Sequence, residues 1–380
     1  MNSSLSTSYR SDLAQQCVKC GLCLPHCPTY AIAQNEAESP RGRIALMLAL
    51  AQSPDILGSA THPSLDNCLG CRRCESVCPA NVSYDELLIG TRAATKPALP
   101  WRAKLALLLM QHKAWLNSTL HIYRKLYTVL PSALKLLPKP DVTDNPALLA
   151  HATKSRSALF SGCVADVYEQ NVRLALQKLL GALGESIDIP SAQVCCGQAA
   201  MHAGDARNAE QLAEKNRRAF VDYDQLLTLA SGCFSALEHS AGIPVLDALQ
   251  YLQQHSKRLP FNSAQGEHVA VHVPCSASFH RQHHAALALL KQIPDLQLTV
   301  LADHGCCGAA GLHQLVQPER AEQMRAPILQ AIHTNTVNLI LSQNIGCRLH
   351  LASGTDVPVK HPLEFMAQFI NDSETPTHTA

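Results

Sequence analysis

Hydrophobic and polar positions follow two rhythms along this chain. Short β-rich runs at Ala158–Ser161, Leu226–Ala230, Val269–Val273 and Val337–Leu341 are separated by stretches with apolar residues at three- and four-residue steps, among them Asn171–Leu183 and His283–Lys291. Runs of the first kind predict strands and the second kind helices. Their alternation predicts a parallel sheet with right-handed crossovers. Further toward the N-terminus, the apolar run Ile44–Ala51 follows Ser39-Pro40. Serine as cap with proline at the first helical position predicts a helix start there. Leu105–Met110 and Leu116–Leu130 predict two more helices, and Pro131, Pro138, Pro140 and Pro146 then mark a linker ending near Lys154.

The C-terminal part is internally duplicated. Ser161-Gly162-Cys163 aligns with Val273-Pro274-Cys275, and Cys195-Cys196-Gly197 with Cys306-Cys307-Gly308. Ser231-Gly232-Cys233 aligns with Ile345-Gly346-Cys347, and Ile243-Pro244-Val245 with Val357-Pro358-Val359. The four offsets are 112, 111, 114 and 114. A near-constant offset marks two copies of one unit. The copies are expected to pack about a pseudo-twofold axis, with their cysteines at or just beyond the carboxyl ends of strands, where open α/β sheets place ligands.

Composition narrows the function. The chain has 380 residues, 47% hydrophobic and 16% charged, which suits two or three globular domains and excludes a disordered or collagenous protein. A net charge of +1 gives no general affinity for nucleic acid. The longest strictly apolar run has eight residues, Ile44–Ala51, where a spanning helix needs about twenty. Met1–Asp12 is polar with no apolar core, so no secretory signal and a cytoplasmic setting are expected. In a reducing compartment the 16 cysteines argue for metal or redox chemistry rather than disulfides.

Eight of those cysteines form two matching runs, Cys17-x2-Cys20-x2-Cys23-x3-Cys27-Pro28 and Cys68-x2-Cys71-x2-Cys74-x3-Cys78-Pro79. A cubane cluster takes three thiolates from one tight loop, and two-residue spacers supply that reach. The fourth cysteine turns toward the other cluster. The pattern therefore assigns Cys17, Cys20, Cys23 and Cys78 to one [4Fe–4S] cluster, and Cys27, Cys68, Cys71 and Cys74 to a second. Zinc prefers paired knuckles and fits this spacing poorly. Arg41 and Arg43, beside the runs, either offset cluster charge, dock a partner or form a solvated first helical turn.

The other eight cysteines divide between the copies: Cys163, Cys195, Cys196 and Cys233, then Cys275, Cys306, Cys307 and Cys347. Adjacent cysteines can bridge two irons, hold a metal with one thiol spare, or form a vicinal disulfide. The glycine after each pair permits a tight turn and a close approach to a ligand. A further iron–sulfur or zinc site is expected here. Between Leu87 and Pro140 there is no acidic residue. Arg92, Lys96, Arg102, Lys104, Lys113, Arg124, Lys125, Lys135 and Lys139 are all basic, and Trp101 and Trp115 lie among them. Such a stretch either packs as a helical linker or docks on an anionic membrane or acidic partner. No dinucleotide fingerprint, P-loop or zinc-protease motif is present, so no flavin or nucleotide is expected on this chain, and oxidation of an organic substrate would need a flavin on another.

These residues resemble the iron–sulfur subunit of bacterial glycolate oxidase (glycolate dehydrogenase). The resemblance rests on Cys27-Pro28-Thr29-Tyr30, Pro40-Arg41-Gly42-Arg43-Ile44, Leu65–Leu88, both Cys-Cys-Gly turns, and Asn344-Ile345-Gly346-Cys347 with His350-Leu351-Ala352. It covers about residues 11–370. It implies a helical two-cluster ferredoxin-like module followed by a duplicated α/β, parallel-sheet Cys-Cys-Gly domain. It implies flavoprotein subunits that oxidise glycolate to glyoxylate, and electrons passing through this chain toward a quinone-type acceptor, with peripheral association at the inner face of the cytoplasmic membrane. Related chains serve D-lactate, glycerol 3-phosphate and heterodisulfide chemistry. Some Cys-Cys-Gly domains carry a fifth cysteine where this chain has Ala236 and His350, leaving His350 as a candidate substitute ligand. The expected domains are a two-cluster module at 1–90, a basic helical linker at 91–154, Cys-Cys-Gly repeats at 155–262 and 263–371, and a disordered tail at 372–380.

Overall fold

A computed structural model describes residues 10–52, 62–131, 134–141, 156–255 and 259–371. The expected tail at 372–380 and the end of the linker, with Pro146, lie outside the described residues. The chain forms two compact units. The first comprises residues 1–108, 197–211 and 304–327, and the second comprises 109–196, 212–303 and 328–380.

The first unit is helical among its described residues. Helix Pro40–Gln52 starts where Ser39 predicts, and the Ser39 hydroxyl accepts the Gly42 N–H at 2.9 Å. Its Ile44, Met47 and Leu50 bury against Leu65 and Val82, and against Tyr84, Leu87 and Leu88 of helix Tyr84–Thr95. A 3-10 turn, Glu36–Glu38, lies hard against the helix start. A Cβ on Gly42 would sit 1.9 Å from the Glu36 carbonyl oxygen, so only glycine fits there. Arg92, on the second helix, is buried. Its guanidinium donates to the carbonyls of Leu65, Asp66 and Cys68 at 2.8, 3.0 and 2.7 Å, and to that of His202 at 3.1 Å. It therefore contributes no exposed charge to the basic stretch in which the sequence places it.

The second unit holds two parallel sheets. Strands β1 (Ser157–Phe160), β2 (Gln225–Thr228) and β3 (Val245–Asp247) pair in the order β1-β2-β3. Strands β4 (His268–Val271), β5 (Gln297–Val300), β6 (Leu339–Leu341) and β7 (Val359–Lys360) pair in the order β5-β4-β6-β7. Under the duplication β1, β2 and β3 match β4, β6 and β7. The partner of β5 shrinks to a single parallel bridge, Ala158 to Asp188. Pro190 lies two residues on and has no N–H to extend that ladder.

The copies share one core, with Leu176, Leu179 and Leu180 from the first and Leu289, Leu290 and Leu363 from the second. Helix Ala248–Gln254 packs on Gln282–Leu290, and Gln170–Ala182 packs on Pro362–Met366. Each contact is the image of the other under the duplication, as a pseudo-twofold axis requires. The side chains at related positions differ. On one side Glu169 and Arg348 form a buried ion pair, and Arg348 Nη1 lies 3.5 Å from Glu364. On the other, Phe234 packs at a tilt of 56° against His280 with ring centroids 4.8 Å apart, and His280 bonds Ser235 at 2.7 Å. Within the stretch expected as linker, helix Lys113–Leu126 buries Leu116 and Leu120 against Val167. Lys113 is tied to Ser161 and Asp166 at 3.3 Å each, while Trp115 and Ile122 are exposed. Among the described residues no helix is long and apolar enough to cross a membrane.

Candidate metal centres

Two cavities in the first unit are walled by cysteines. Cavity A, about 440 Å³ of free space open to solvent, is lined by Cys17, Cys20, Cys23, Cys74 and Cys78, with Arg41, Ile44 and Tyr84. Cavity B, about 320 Å³, is lined by Cys27, Cys68, Cys71 and Cys74, with Thr29, Arg43, Arg72 and Tyr84. Sequence-local turns build both walls. Lys19 and Gly21 take positive φ between the cysteines of the first run, and the Cys27 N–H closes a turn onto the Leu24 carbonyl at 3.1 Å. Pro28 then begins a short helix, Pro28–Ala33, which turns the chain away.

The thiols crowd one another. Cys74 is held well above the ordinary thiol range by burial first, then by the nearby sulfurs of Cys71, Cys68 and Cys27. Cys23 is pushed up by burial and by Cys17 and Cys20. Thiols held as Cys74 and Cys23 are, buried beside other sulfurs, resist ionisation until a cation compensates them, which is the chemistry of a metal-ligand set. Among the described residues no three His, Cys, Asp or Glu side chains converge on a single metal ion. The sulfurs are spread along the walls of the two cavities instead. This donor set, all thiol and spread around a wall, fits an iron–sulfur cluster.

Charged and hydroxyl groups surround cavity B. Arg43 is 1% exposed, so it is not the solvated first-turn residue that its position in sequence allows. Its guanidinium donates to the Ser64 carbonyl at 2.5 Å and to Thr29 Oγ1 at 2.9 Å, and it contacts Cys27 Sγ at 3.7 Å. Burial opposes its charge, but Cys68, Tyr84, Cys27 and Glu38 outweigh burial and hold its pKa above the ordinary value. The Tyr84 hydroxyl donates to Cys68 Sγ at 3.6 Å. Arg41 is more exposed and reaches the other loop, bonding the Lys19 carbonyl at 3.3 Å and Glu36 at 2.7 Å.

Behind Arg43 stands Glu38. Burial works against its ionisation, yet Arg320 (2.9 and 2.6 Å), Asn67 (2.8 Å) and Arg43 outweigh it and keep the carboxyl below its ordinary pKa. The first unit also brings Gly305 beside Pro28 and lays the His202 ring against Gly70, where a Cβ would meet it at 2.8 Å. His202 is lowered to about 3 by burial, with Arg92 adding to the effect, so it is neutral. Glu38, Arg320 and His202 carry no mark in the sequence, because each is defined by a partner distant along the chain. The nearest available signal was an acidic residue just ahead of Ser39-Pro40-Arg41-Gly42-Arg43.

In the second unit, cysteines follow strand ends. Cys163 after β1 is the N-cap of helix Val164–Tyr168, and Cys275 after β4 opens helix Cys275–Phe279. Cys233 and Cys347 sit in the first turns of Ser231–Ser240 and Ile345–Ala352. Helix N-termini favour thiolates. The thiols of the first copy lie in successive contacts, Cys163 with Cys195, Cys195 with Cys196 and Cys196 with Cys233. Cys163 bonds Cys195, and that bond with burial holds it well above the thiol range. Cys196 is lowered by Cys195 but raised further by Cys233, burial and the adjacent sulfurs. Asn216, fully buried, fixes the pair by accepting the Val194 N–H at 2.9 Å and donating to the Cys195 carbonyl at 3.0 Å. In the second copy, Cys306 and Cys307 belong to the first unit and Cys275 and Cys347 to the second. Gly197 and Gly308 share φ +87°, the left-handed turn their spacing predicts. His350 is buried on its helix, and Ala236 is buried too.

Comparison with known proteins agrees with this anatomy. A 4Fe-4S dicluster domain model matches residues 13–82, and a cysteine-rich domain model matches twice, at 157–238 and 269–352. A "Probable glycolate oxidase iron-sulfur subunit" of Bacillus subtilis is 30% identical over 90% of this chain and 88% of its own length. The glycolate oxidase iron-sulfur subunit of Escherichia coli is 28% identical over 94% of both chains. A fumarate reductase (CoM/CoB) component of Methanothermobacter marburgensis is 26% identical over 94% of this chain and 72% of that one. With two matching cysteine-rich repeats behind a dicluster module, and relatives aligned over nearly the whole length, the chain belongs to the family of glycolate oxidase iron–sulfur subunits.

Proposed function

We propose that this chain is the electron-transfer subunit of a glycolate dehydrogenase complex. A flavoprotein partner removes two electrons and two protons from glycolate to give glyoxylate. The electrons pass through this chain to a quinone-type acceptor, which takes up two protons as it becomes the quinol. The observation that carries this reading is the pair of thiol-lined cavities in a chain of this family. Cys17, Cys20, Cys23 and Cys78 hold one [4Fe–4S] cluster, and Cys27, Cys68, Cys71 and Cys74 the second. The clusters supply one-electron steps between the two-electron chemistries at either end. The chain's own residues insulate and fix the cavities: Tyr84 walls both and Ile44 the first, Arg43 compensates thiolate charge, and Arg92 gathers the carbonyls leading into Cys68. Cys163, Cys195, Cys196 and Cys233, all within the second unit, form a further metal or redox centre. Association with the inner face of the cytoplasmic membrane is supported by the exposed Trp101, Trp115, Ile122 and Val129 in a stretch without acidic residues.

The test is anaerobic purification from the native host with its bound partners. The expected preparation contains flavin on other chains and about eight iron and eight labile sulfide in the N-terminal module, and glycolate bleaches the iron–sulfur absorption. Cys71→Ser lowers the iron count and slows that bleaching. Zinc in place of iron would refute the cluster assignment. Bleaching by D-lactate or glycerol 3-phosphate, with none by glycolate, would refute the substrate.

A further inference from the structure

The two cavities are not electrically alike, and the difference is built by named side chains. At cavity B the buried Arg43 contacts Cys27 Sγ, and the Tyr84 hydroxyl donates to Cys68 Sγ. Thr29 Oγ1 lies 3.2 Å from Cys27 Sγ, and Arg43 donates to it. At cavity A, among the described residues, no side chain donates to the sulfur of Cys17, Cys20, Cys23 or Cys78. The cations beside cavity A are Lys19, which is exposed, and Arg41, which is partly exposed and neutralised by two bonds to Glu36, so solvent and Glu36 screen them.

Reduction adds one negative charge to a cluster. A hydrogen-bond donor or cation at a ligand sulfur stabilises that added charge and raises the potential. Burial works the other way, because water at the more open cavity A also solvates negative charge. The balance turns on the local cation. A guanidinium held in low dielectric acts on a sulfur 3.7 Å away far more strongly than diffuse water or a screened surface arginine. Glu38 does not cancel it. That carboxylate is shared with Arg320 at 2.6 Å, closer than its 3.5 Å approach to Arg43, so the trio Arg43, Glu38 and Arg320 keeps one positive charge.

We propose that Arg43 and Tyr84 set the cluster of Cys27, Cys68, Cys71 and Cys74 as the higher-potential member of the pair, so that an electron entering the N-terminal module comes to rest there. The inference rests on both cavities holding clusters, as proposed above. Arg43 and Tyr84 are positioning residues: they tune the sulfurs and do not exchange electrons themselves.

The experiment is a redox titration of the anaerobically purified full chain, followed by electron paramagnetic resonance. Cys71→Ser identifies the signal belonging to cavity B by its loss. In the unmodified chain that signal appears first as the potential is lowered. Tyr84→Phe keeps the ring in the core and removes only the hydroxyl, and shifts the cavity B midpoint downward while leaving the other in place. Arg43→Gln gives a larger downward shift of the same midpoint. Iron and sulfide analysis accompanies each variant. If Arg43→Gln does not load its iron, Tyr84→Phe still decides. A cavity B signal that appears last in the unmodified chain, or a Tyr84→Phe titration superposable on the original, overturns the proposal. Absence of any iron–sulfur signal in the unmodified chain would instead refute the cluster assignment beneath it.

Discussion

Replacing Arg348 with methionine tests how the two Cys-Cys-Gly copies are joined. Arg348 sits on the helix after β6 and reaches the Glu169 carboxylate, which ends the first helix of the other copy. Glu169 is 1% exposed, so water cannot replace the guanidinium. Burial pulls the Arg348 pKa down to about 10, and Glu364 offsets part of that, which marks a charge kept only by its partners. His361 next to it is neutral: its Nδ1 accepts the Leu363 N–H at 3.1 Å, so its Nε2 donates to the Leu229 carbonyl at 3.1 Å. Arg348→Met strands the Glu169 carboxylate in the interior, and breaking a buried pair from one side costs about 3–5 kcal/mol. For a unit of a few hundred residues, 1 kcal/mol moves the melting temperature by about 2–4 °C, so a drop of roughly 10 °C is expected. Adding Glu169→Gln removes the stranded charge and recovers most of the loss, because a neutral amide of the same shape needs no cation. The assay is anaerobic thermal melting followed by far-ultraviolet circular dichroism on the single and double variants. A single variant within 1–2 °C of the parent, or a double variant no better than the single, would refute the reasoning.

Other expectations concern separate parts of the molecule. Burial raises Asp247 to about 7, although it caps helix Ala248–Gln254 by accepting the N–H groups of Leu249 and Gln250. The folded state therefore binds a proton that the unfolded chain has released, so this site's contribution to stability falls as pH rises from about 4 toward 7. Melting of the parent relative to Asp247→Asn, measured from pH 5.5 to 8, should decline and then level; a constant difference would show that Asp247 does not titrate there. Gly42→Ala, a change that ordinarily favours a helix by roughly 0.5–1 kcal/mol, should instead destabilise, because its Cβ would collide with the Glu36 carbonyl. A melting temperature equal to or above the parent's would contradict that. Charge reversal at Arg102, Lys104 and Lys125 should weaken binding to vesicles rich in anionic lipid, and added salt should weaken binding of the parent. Salt-independent binding, or binding unchanged by the three reversals, would leave this stretch as a packed linker.

The chemistry was legible where it is local. Two-residue spacers, a proline after each fourth cysteine and a glycine after each cysteine pair mark loop geometry, and such geometry is written in neighbouring residues. The duplication was legible from constant offsets, and the mirrored helix contacts follow from it. Arg43 was visible as a charge but not as a buried one, because its partners Thr29, Ser64 and Glu38 come from three separate segments. Arg92 reads as part of a basic stretch and is spent on four carbonyls. The strand Gln297–Val300 of the second copy has only one bridge as its counterpart in the first, since Pro190 ends the ladder there, and the repeat offsets alone do not reveal that difference. Glu38 and Arg320 lie far apart in sequence, and no periodicity encodes their meeting.

That last pairing bears on how the protein is made. The unit that carries the N-terminal cysteine runs is completed by residues 197–211, which begin at the glycine of the first Cys-Cys-Gly turn, and by 304–327, which span the second. A ribosome that has released only the first hundred residues has supplied every thiol of both cavities but neither Arg320 nor His202. Glu38 then waits without its principal counter-charge, and the Gly70 loop without its cover. Iron loading during synthesis would thus act on an unfinished shell until most of the chain has emerged. A gene truncated within the linker would encode all eight of those cysteines without Arg320 and His202 to complete their surroundings.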